Sequence, residues 1–302
     1  MAQAFADRLI QRIGALGHPL CVGLDPQLER IPAPFRRGTM QAADPETAEV
    51  VADFCLAVLA RVVDRVAVVK PQSAFFEALG WPGVRALGKV LETARGQGLL
   101  VILDAKRGDI GSSAAGYAAA YLGEAGPLAA DALTVSPWLG FDSCEPFLDA
   151  AARAGGGLFV LARTSNPGAQ DFQELESGGL RLYEHVAEGL AERAKRLLGP
   201  ETGWSGLGLV AGATWPDEAK RLRERAPSNL FLVPGYGAQG ASAADAVAGF
   251  VRGPGGHLEG GVVSSSRAIL FPDAPSDTAE SWEKAVDKAL QRAITELGSV
   301  VA

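Results

Sequence analysis

The chain has 302 residues, 48% of them hydrophobic and 21% charged, which is ample for a sizeable core. Its net charge of -7 excludes a general nucleic-acid binder, because phosphate neutralisation needs clustered Lys and Arg, although a local basic site for a small anion is allowed. Cys21, Cys55 and Cys144 are too scattered for a metal-ligand spacing or a disulfide framework and read as small apolar residues.

The first 17 residues read as an amphipathic helix, with Phe5, Leu9, Ile10, Ile13 and Leu16 on the apolar face and Asp7, Arg8 and Arg12 elsewhere. The segment lacks the uninterrupted apolar core of a signal peptide, and no stretch is long enough to span a membrane. A cytoplasmic protein with no membrane partner is expected. Short β-branched apolar runs then recur at residues 20–24, 66–69, 99–103, 130–135, 158–162, 207–211, 230–233 and 261–263. Their nearly continuous apolar character is that of parallel strands covered on both faces. Helical periodicity fills the gaps, at residues 46–63, 82–97, 113–123, 143–153, 180–198, 216–225 and 241–251, with 278–297 after the last run. Pro82 and Pro216 suit first-turn helix positions. Eight β-then-α units without a dividing linker predict one (β/α)8 TIM barrel over residues 1–302 with an extra N-terminal helix, although an open doubly wound sheet would read similarly.

Barrel enzymes place their chemistry at the C-terminal ends of the strands, and here several strands end in charges. Asp25 closes the first, Lys70 the second, and Asp104 and Lys106 the third. If the third strand stays extended, Asp104 and Lys106 point to one face with Cα atoms roughly 6 to 7 Å apart. Asp109 follows a turn that either returns its carboxylate to the ammonium or sends it to a neighbouring subunit. With Lys70 from the adjacent strand, an alternating Lys-Asp-Lys-Asp array results. Carboxylates beside a lysine favour its charged form, so Lys106 is expected to be a cation and proton donor rather than a Schiff-base amine. The glycine-rich loop 234–240 and the Ser264-Ser-Ser-Arg267 run suit a phosphate, with backbone N–H groups and a bidentate Arg267 as donors. His18, His185 and His257 lie away from this rim, so neither histidine acid–base chemistry nor a His-rich metal site is expected. Trp81, Trp138 and Trp215 read as loop-packing residues.

These residues resemble a known family. Asp104-Ala-Lys106-Arg-Gly-Asp109-Ile110, followed by Ser113, is similar to the Asp-x-Lys-x-x-Asp signature of orotidine 5'-phosphate decarboxylases. Val22-Gly-Leu-Asp25, Val69-Lys70-Pro-Gln, Arg163-Thr-Ser165-Asn-Pro-Gly168, the 234–240 loop and Ser266-Arg267 follow the family in order, and the longer loops resemble its larger bacterial branch. The resemblance implies decarboxylation of orotidine 5'-phosphate to uridine 5'-phosphate without metal or organic cofactor, with Lys106 as proton donor and Asp104 as its orienting partner. It further implies Lys70 and Asp25 at the ribose and Ser165 at the pyrimidine, with Gln239, Gly240, Ser266 and Arg267 around the phosphate. It implies a homodimer in which Asp109, Ile110 and Ser113 reach the neighbouring active site. Ser113 stands where many members have threonine, and Ser266 where glycine is frequent. Tyr236 is a further candidate phosphate contact. Two other readings stay open on the same barrel: a metal-dependent sugar-phosphate decarboxylase or epimerase, and a non-catalytic phosphate-ligand binder.

Overall fold

The computed structural model describes residues 3–123, 126, 128–237, 239–273 and 277–302. Met1 and Ala2 of the expected first helix and Ala238 of the glycine-rich loop therefore lie outside the described residues.

All eight apolar runs form strands: β1 (Leu20–Leu24), β2 (Val68–Pro71), β3 (Leu100–Arg107), β4 (Ala132–Val135), β5 (Gly157–Arg163), β6 (Ser205–Ala211), β7 (Asn229–Val233) and β8 (Gly261–Ser265). Each pairs in parallel with its sequence neighbour, and β8 closes on β1 through Leu20↔Val263 and Val22↔Ser265. The doubly wound alternative is thereby excluded. The helices α1 (Phe5–Leu16), α2 (Pro45–Val62), α3 (Ser73–Glu77), α4 (Gly80–Gly96), α5 (Gly111–Leu122), α6 (Glu145–Ala154), α7 (Leu182–Arg193), α8 (Pro216–Arg225), α9 (Ala243–Ala246), α10 (Arg267–Leu270) and α11 (Ala279–Val301) complete the order. Asp44 caps α2, its carboxylate accepting from the Glu46 amide at 3.0 Å with Pro45 in the first turn, as capping preferences dictate. No helix among the described residues is long and apolar enough to cross a membrane.

Strand periodicity divides the apolar residues into two sets. Leu20, Val22, Val69, Val101, Leu103, Leu133, Leu158 and Val160 belong to the layer between barrel and helices. Cys21, Val68, Leu100, Ile102, Ala132, Phe159, Leu230, Leu232 and Val262, of the opposite parity, form the barrel interior. Helix α1 joins this second set, contributing Phe5, Leu9, Ile10 and Ile13. It therefore plugs the N-terminal end of the barrel. Phe5 meets Phe159 edge-to-face at 6.1 Å, a close approach made possible by Gly157, where a Cβ would sit 2.5 Å from the Phe5 ring.

The expected 241–251 helix is reduced to the four residues of α9, and the 180–198 helix ends at Arg193 before a short 3-10 turn. Helix α3 and a two-stranded ribbon, Glu176–Ser177 with Leu180–Arg181, were not expected. They are too short to show a periodicity.

Candidate active site

Following the interior parity upward along each strand, the apolar residues give way to polar ones. On β1 the sequence is Cys21 then Asp25, on β2 Val68 then Lys70, on β3 Ile102 then Asp104, on β4 Ala132 then Thr134, and on β8 Val262 then Ser264. All five polar residues line one cavity of about 520 Å³ at the C-terminal end of the barrel. That volume falls in the range of small-molecule sites. A larger, more open groove of about 1120 Å³ lies at the N-terminal end of β3, between α1 and α4. It contains none of the expected site residues, and two of its cations are engaged: Arg8 with Asp131 at 2.8 Å, Arg95 with the Ala129 carbonyl at 3.2 Å.

The cavity floor is an ion network. Asp104 accepts from Lys70 Nζ at 2.7 Å through Oδ2 and from Lys106 Nζ at 2.6 Å through Oδ1. Asp104 and Lys70 are both buried, at 6% exposure. Burial opposes charge on each, but the opposite charges outweigh it. Lys70 and Lys106 hold the Asp104 carboxyl well below the usual carboxylate range, and Asp104 with Asp25 holds the Lys70 ammonium above the usual lysine range. Asp104 and Lys70 are thus both held in their charged forms. Lys106 differs from Lys70 in access: 46% of its side chain is exposed at the cavity mouth.

The extended geometry expected at Lys106 is not what brings it to Asp104. Lys106 has φ +47, in the left-handed region that side chains disfavour, and β3 shifts register against β4 between Leu103 and Arg107. The bulge re-aims Lys106 so that its ammonium stays over Asp104. Thr134 holds this turn. Its hydroxyl accepts from the amides of Ala105 (3.0 Å) and Lys106 (2.9 Å) and donates to Asp104 Oδ1 (3.0 Å). A single threonine in an apolar run gave no sequence signal for this.

Around the rim, Asp25, Ser165, Gln239, Ser266 and Arg267 also line the cavity. Asp25 Oδ1 is a buried acceptor without a hydrogen-bond partner among the described residues. Gly235 and Gly237 have φ +107 and +72, conformations open to glycine, which fold the β7 loop so that Gln239 and Ser165 both approach Gly235. Gly240 is exposed and does not line the cavity. Tyr236 lines it, but its hydroxyl donates to Glu296 of α11 at 2.7 Å, so the candidate phosphate contact is engaged elsewhere. Asp109, Ile110 and Ser113 do not line this chain's own cavity. Asp109 accepts from the adjacent Ile110 amide at 2.8 Å, and Ile110 and Ser113 are exposed. Within one chain the expected four-member array therefore has three members.

The loop after β5 forms a braced flap. Arg163, fully buried, sits outside the cavity and pairs with Glu174 (2.5 Å) and Glu218 while stacking on Trp215. The Gln173 side chain exchanges two 2.9 Å hydrogen bonds with Thr164. Thr164, Asn166, Gly168, Ala169, Phe172 and Gln173 join Ser165 on the cavity wall; the first three stand in the 163–168 run, whereas Ala169, Phe172 and Gln173 gave no sequence signal. His18, His185 and His257 are absent from it. All three cysteines are buried and free, and burial pushes the Cys21 thiol up to about 12. Among the described residues no cluster of three or more His, Cys, Asp or Glu could hold a metal ion.

A closed parallel barrel with a charged Lys-Asp-Lys network in a cavity at the strand C-termini has the form of a (β/α)8-barrel enzyme. The model of the orotidine 5'-phosphate decarboxylase / HUMPS family matches residues 18–281. An orotidine 5'-phosphate decarboxylase from Rhodopirellula baltica is 42% identical over 294 residues, covering 94% of this chain and 96% of the relative. Among solved structures, a Streptomyces avermitilis protein assigned as an orotidine 5'-phosphate decarboxylase is 34% identical with a TM-score of 0.80, covering 99% and 96% of the two chains. The Leishmania donovani OMP decarboxylase is 31% identical with a TM-score of 0.75, covering 98% of each. The chain belongs to the orotidine 5'-phosphate decarboxylase / HUMPS family.

Proposed function

We propose that this enzyme decarboxylates orotidine 5'-phosphate to uridine 5'-phosphate and CO2, in de novo pyrimidine synthesis in the cytoplasm, without a cofactor. The observation that carries the reading is the hydrogen-bonded chain Lys70–Asp104–Lys106 on the cavity floor, with Lys70 and Asp104 buried and Lys106 the most exposed of the three.

The chemistry follows from where charge develops. The bond from C6 to the carboxylate breaks, CO2 leaves, and the electron pair stays on C6 in the plane of the ring, where π delocalisation is poor. A fixed cation at C6 stabilises that pair, and the same ammonium then gives C6 its proton. Lys106 supplies both, and Asp104 keeps it aimed through their 2.6 Å hydrogen bond. No electron sink is needed. Asp25, with its unused acceptor, and Lys70 suit the ribose hydroxyls, and Ser165 suits the pyrimidine edge. Gln239, Ser266 and Arg267 suit the phosphate, whose remote binding energy can drive closure of the β5 and β7 loops.

The working unit in this reading is a homodimer. Asp109, Ile110 and Ser113 lie outside their own cavity, and exposed apolar residues Ile110, Trp138 and Leu139 mark the adjoining surface as one to be covered.

An ultraviolet assay of orotidine 5'-phosphate consumption, with Lys106→Ala alongside and chelator in a parallel run, tests the proposal. Turnover that survives the chelator and vanishes in the variant is expected. No turnover by the wild type removes the function, and chelator-sensitive turnover favours the metal-dependent reading. A Lys106→Ala variant with the wild-type rate removes the mechanism.

A further inference from the structure

Between the paired residues Leu103↔Leu133 and Arg107↔Val135, β3 has three residues, 104 to 106, and β4 has one, Thr134. A ladder cannot satisfy three residues with one by backbone bonds alone. The Thr134 hydroxyl makes up the difference. It has one donor and two acceptor positions, and all three are filled, by Asp104 Oδ1, the Ala105 amide and the Lys106 amide. None of these bonds returns to its own strand, where a buried threonine would otherwise satisfy itself. Thr134 is fully buried, and branching at Cβ limits its χ1 freedom. The bonded groups span the turn at which Lys106 takes its left-handed φ of +47.

We infer that Thr134 is a positioning residue for the reaction. Its hydroxyl holds Lys106 in the left-handed conformation and orients the Asp104 oxygen to which the ammonium is bonded. This rests on the proposed role of Lys106. Without the hydroxyl two amides and a carboxylate oxygen lose a partner together, and the β3 turn relaxes towards a regular strand. The Lys106 ammonium then leaves its place over the reacting carbon. The substrate's ribose and phosphate contacts come from other strands and are untouched, so the loss falls on turnover.

The test measures kcat and KM for Thr134→Val, Thr134→Ala and Thr134→Ser in the intact protein, with melting temperatures and with Lys106→Ala as reference. Thr134→Val should lower kcat on the order of 10- to 100-fold, the scale of misplacing a reacting group by about an ångström. KM should stay within about threefold, and Thr134→Ser should restore kcat to within about threefold. If Thr134→Val does not fold, the Ala and Ser pair gives the same reading, because neither adds volume. Wild-type kcat in the Val or Ala variant overturns the inference, as does a Ser variant that falls as far as Val. A fully active Lys106→Ala variant would instead sink the mechanism on which the inference rests.

Discussion

The lower and upper halves of the barrel interior are built from the same strands and the same parity, yet they do opposite things. Below, Cys21, Val68, Leu100, Ile102 and Phe159 pack against the α1 plug and exclude water. Two to four residues further along the same strands, Asp25, Lys70, Asp104 and Thr134 carry charge and hydrogen bonds into a cavity. The lower half stabilises by burying apolar area. The upper half holds paired charges, whose desolvation typically loses several kcal/mol before the attraction is counted, so its stability hangs on each partner staying in place. The division teaches that stability and chemistry are separated here by one pleat of a strand rather than by domains.

The sharpest way to break the comparison is in the upper half. Lys106→Ala should lower kcat on the order of 10⁴-fold or more, combining lost proton transfer with lost charge stabilisation, while the melting temperature moves little. Steady-state kinetics beside a thermal melt checks both.

Asp104→Asn should damage activity and fold together, because Lys70 then keeps a buried charge without its carboxylate. A loss of about 3 to 5 kcal/mol is expected in urea titration. The pH dependence has a definite sign. Asp104 titrates below its unfolded value, so its contribution is present above about pH 4 and is lost as pH falls through the folded value. Between pH 5 and 2 the wild type should therefore lose more stability than Asp104→Asn. Parallel loss by both proteins would contradict the charged assignment.

Phe5→Ala probes the other half. It should cost about 3 kcal/mol by opening a cavity under Phe159, with kcat and KM unchanged below the melting transition. A change in kcat would mean that the two halves are coupled after all.

The smallest effect is expected at Tyr236→Phe, which removes the hydrogen bond to Glu296. About 1 kcal/mol of stability and less than a threefold rise in KM should follow, seen by melting and by substrate titration.

The strands were readable because a fully covered parallel strand is an uninterrupted apolar run. Their polar C-terminal residues were readable because charges there contradict burial. Asp104, Lys106, Lys70 and Asp25 stood out for that reason and do line one cavity. Thr134 was illegible because its partners are fixed by strand register, a property of two segments about 30 residues apart. Ala169, Phe172 and Gln173 of the flap were hidden for a similar reason: the loop is ordered by Arg163, which lies outside the cavity and braces it through Glu174. The conformation of Lys106 was not legible because φ depends on the bulge, and the bulge depends on the neighbouring strand.

That conformation has a consequence for engineering. A left-handed backbone costs a side-chain residue about 1 to 2 kcal/mol and glycine almost nothing. Of two variants, Lys106→Gly should therefore tolerate heat better than Lys106→Ala, since both lose the same charge and relief of the left-handed strain outweighs glycine's extra unfolded-state freedom. A directed-evolution library screened for heat resistance without a turnover assay would drift towards glycine at this position, and would discard the proposed proton donor first.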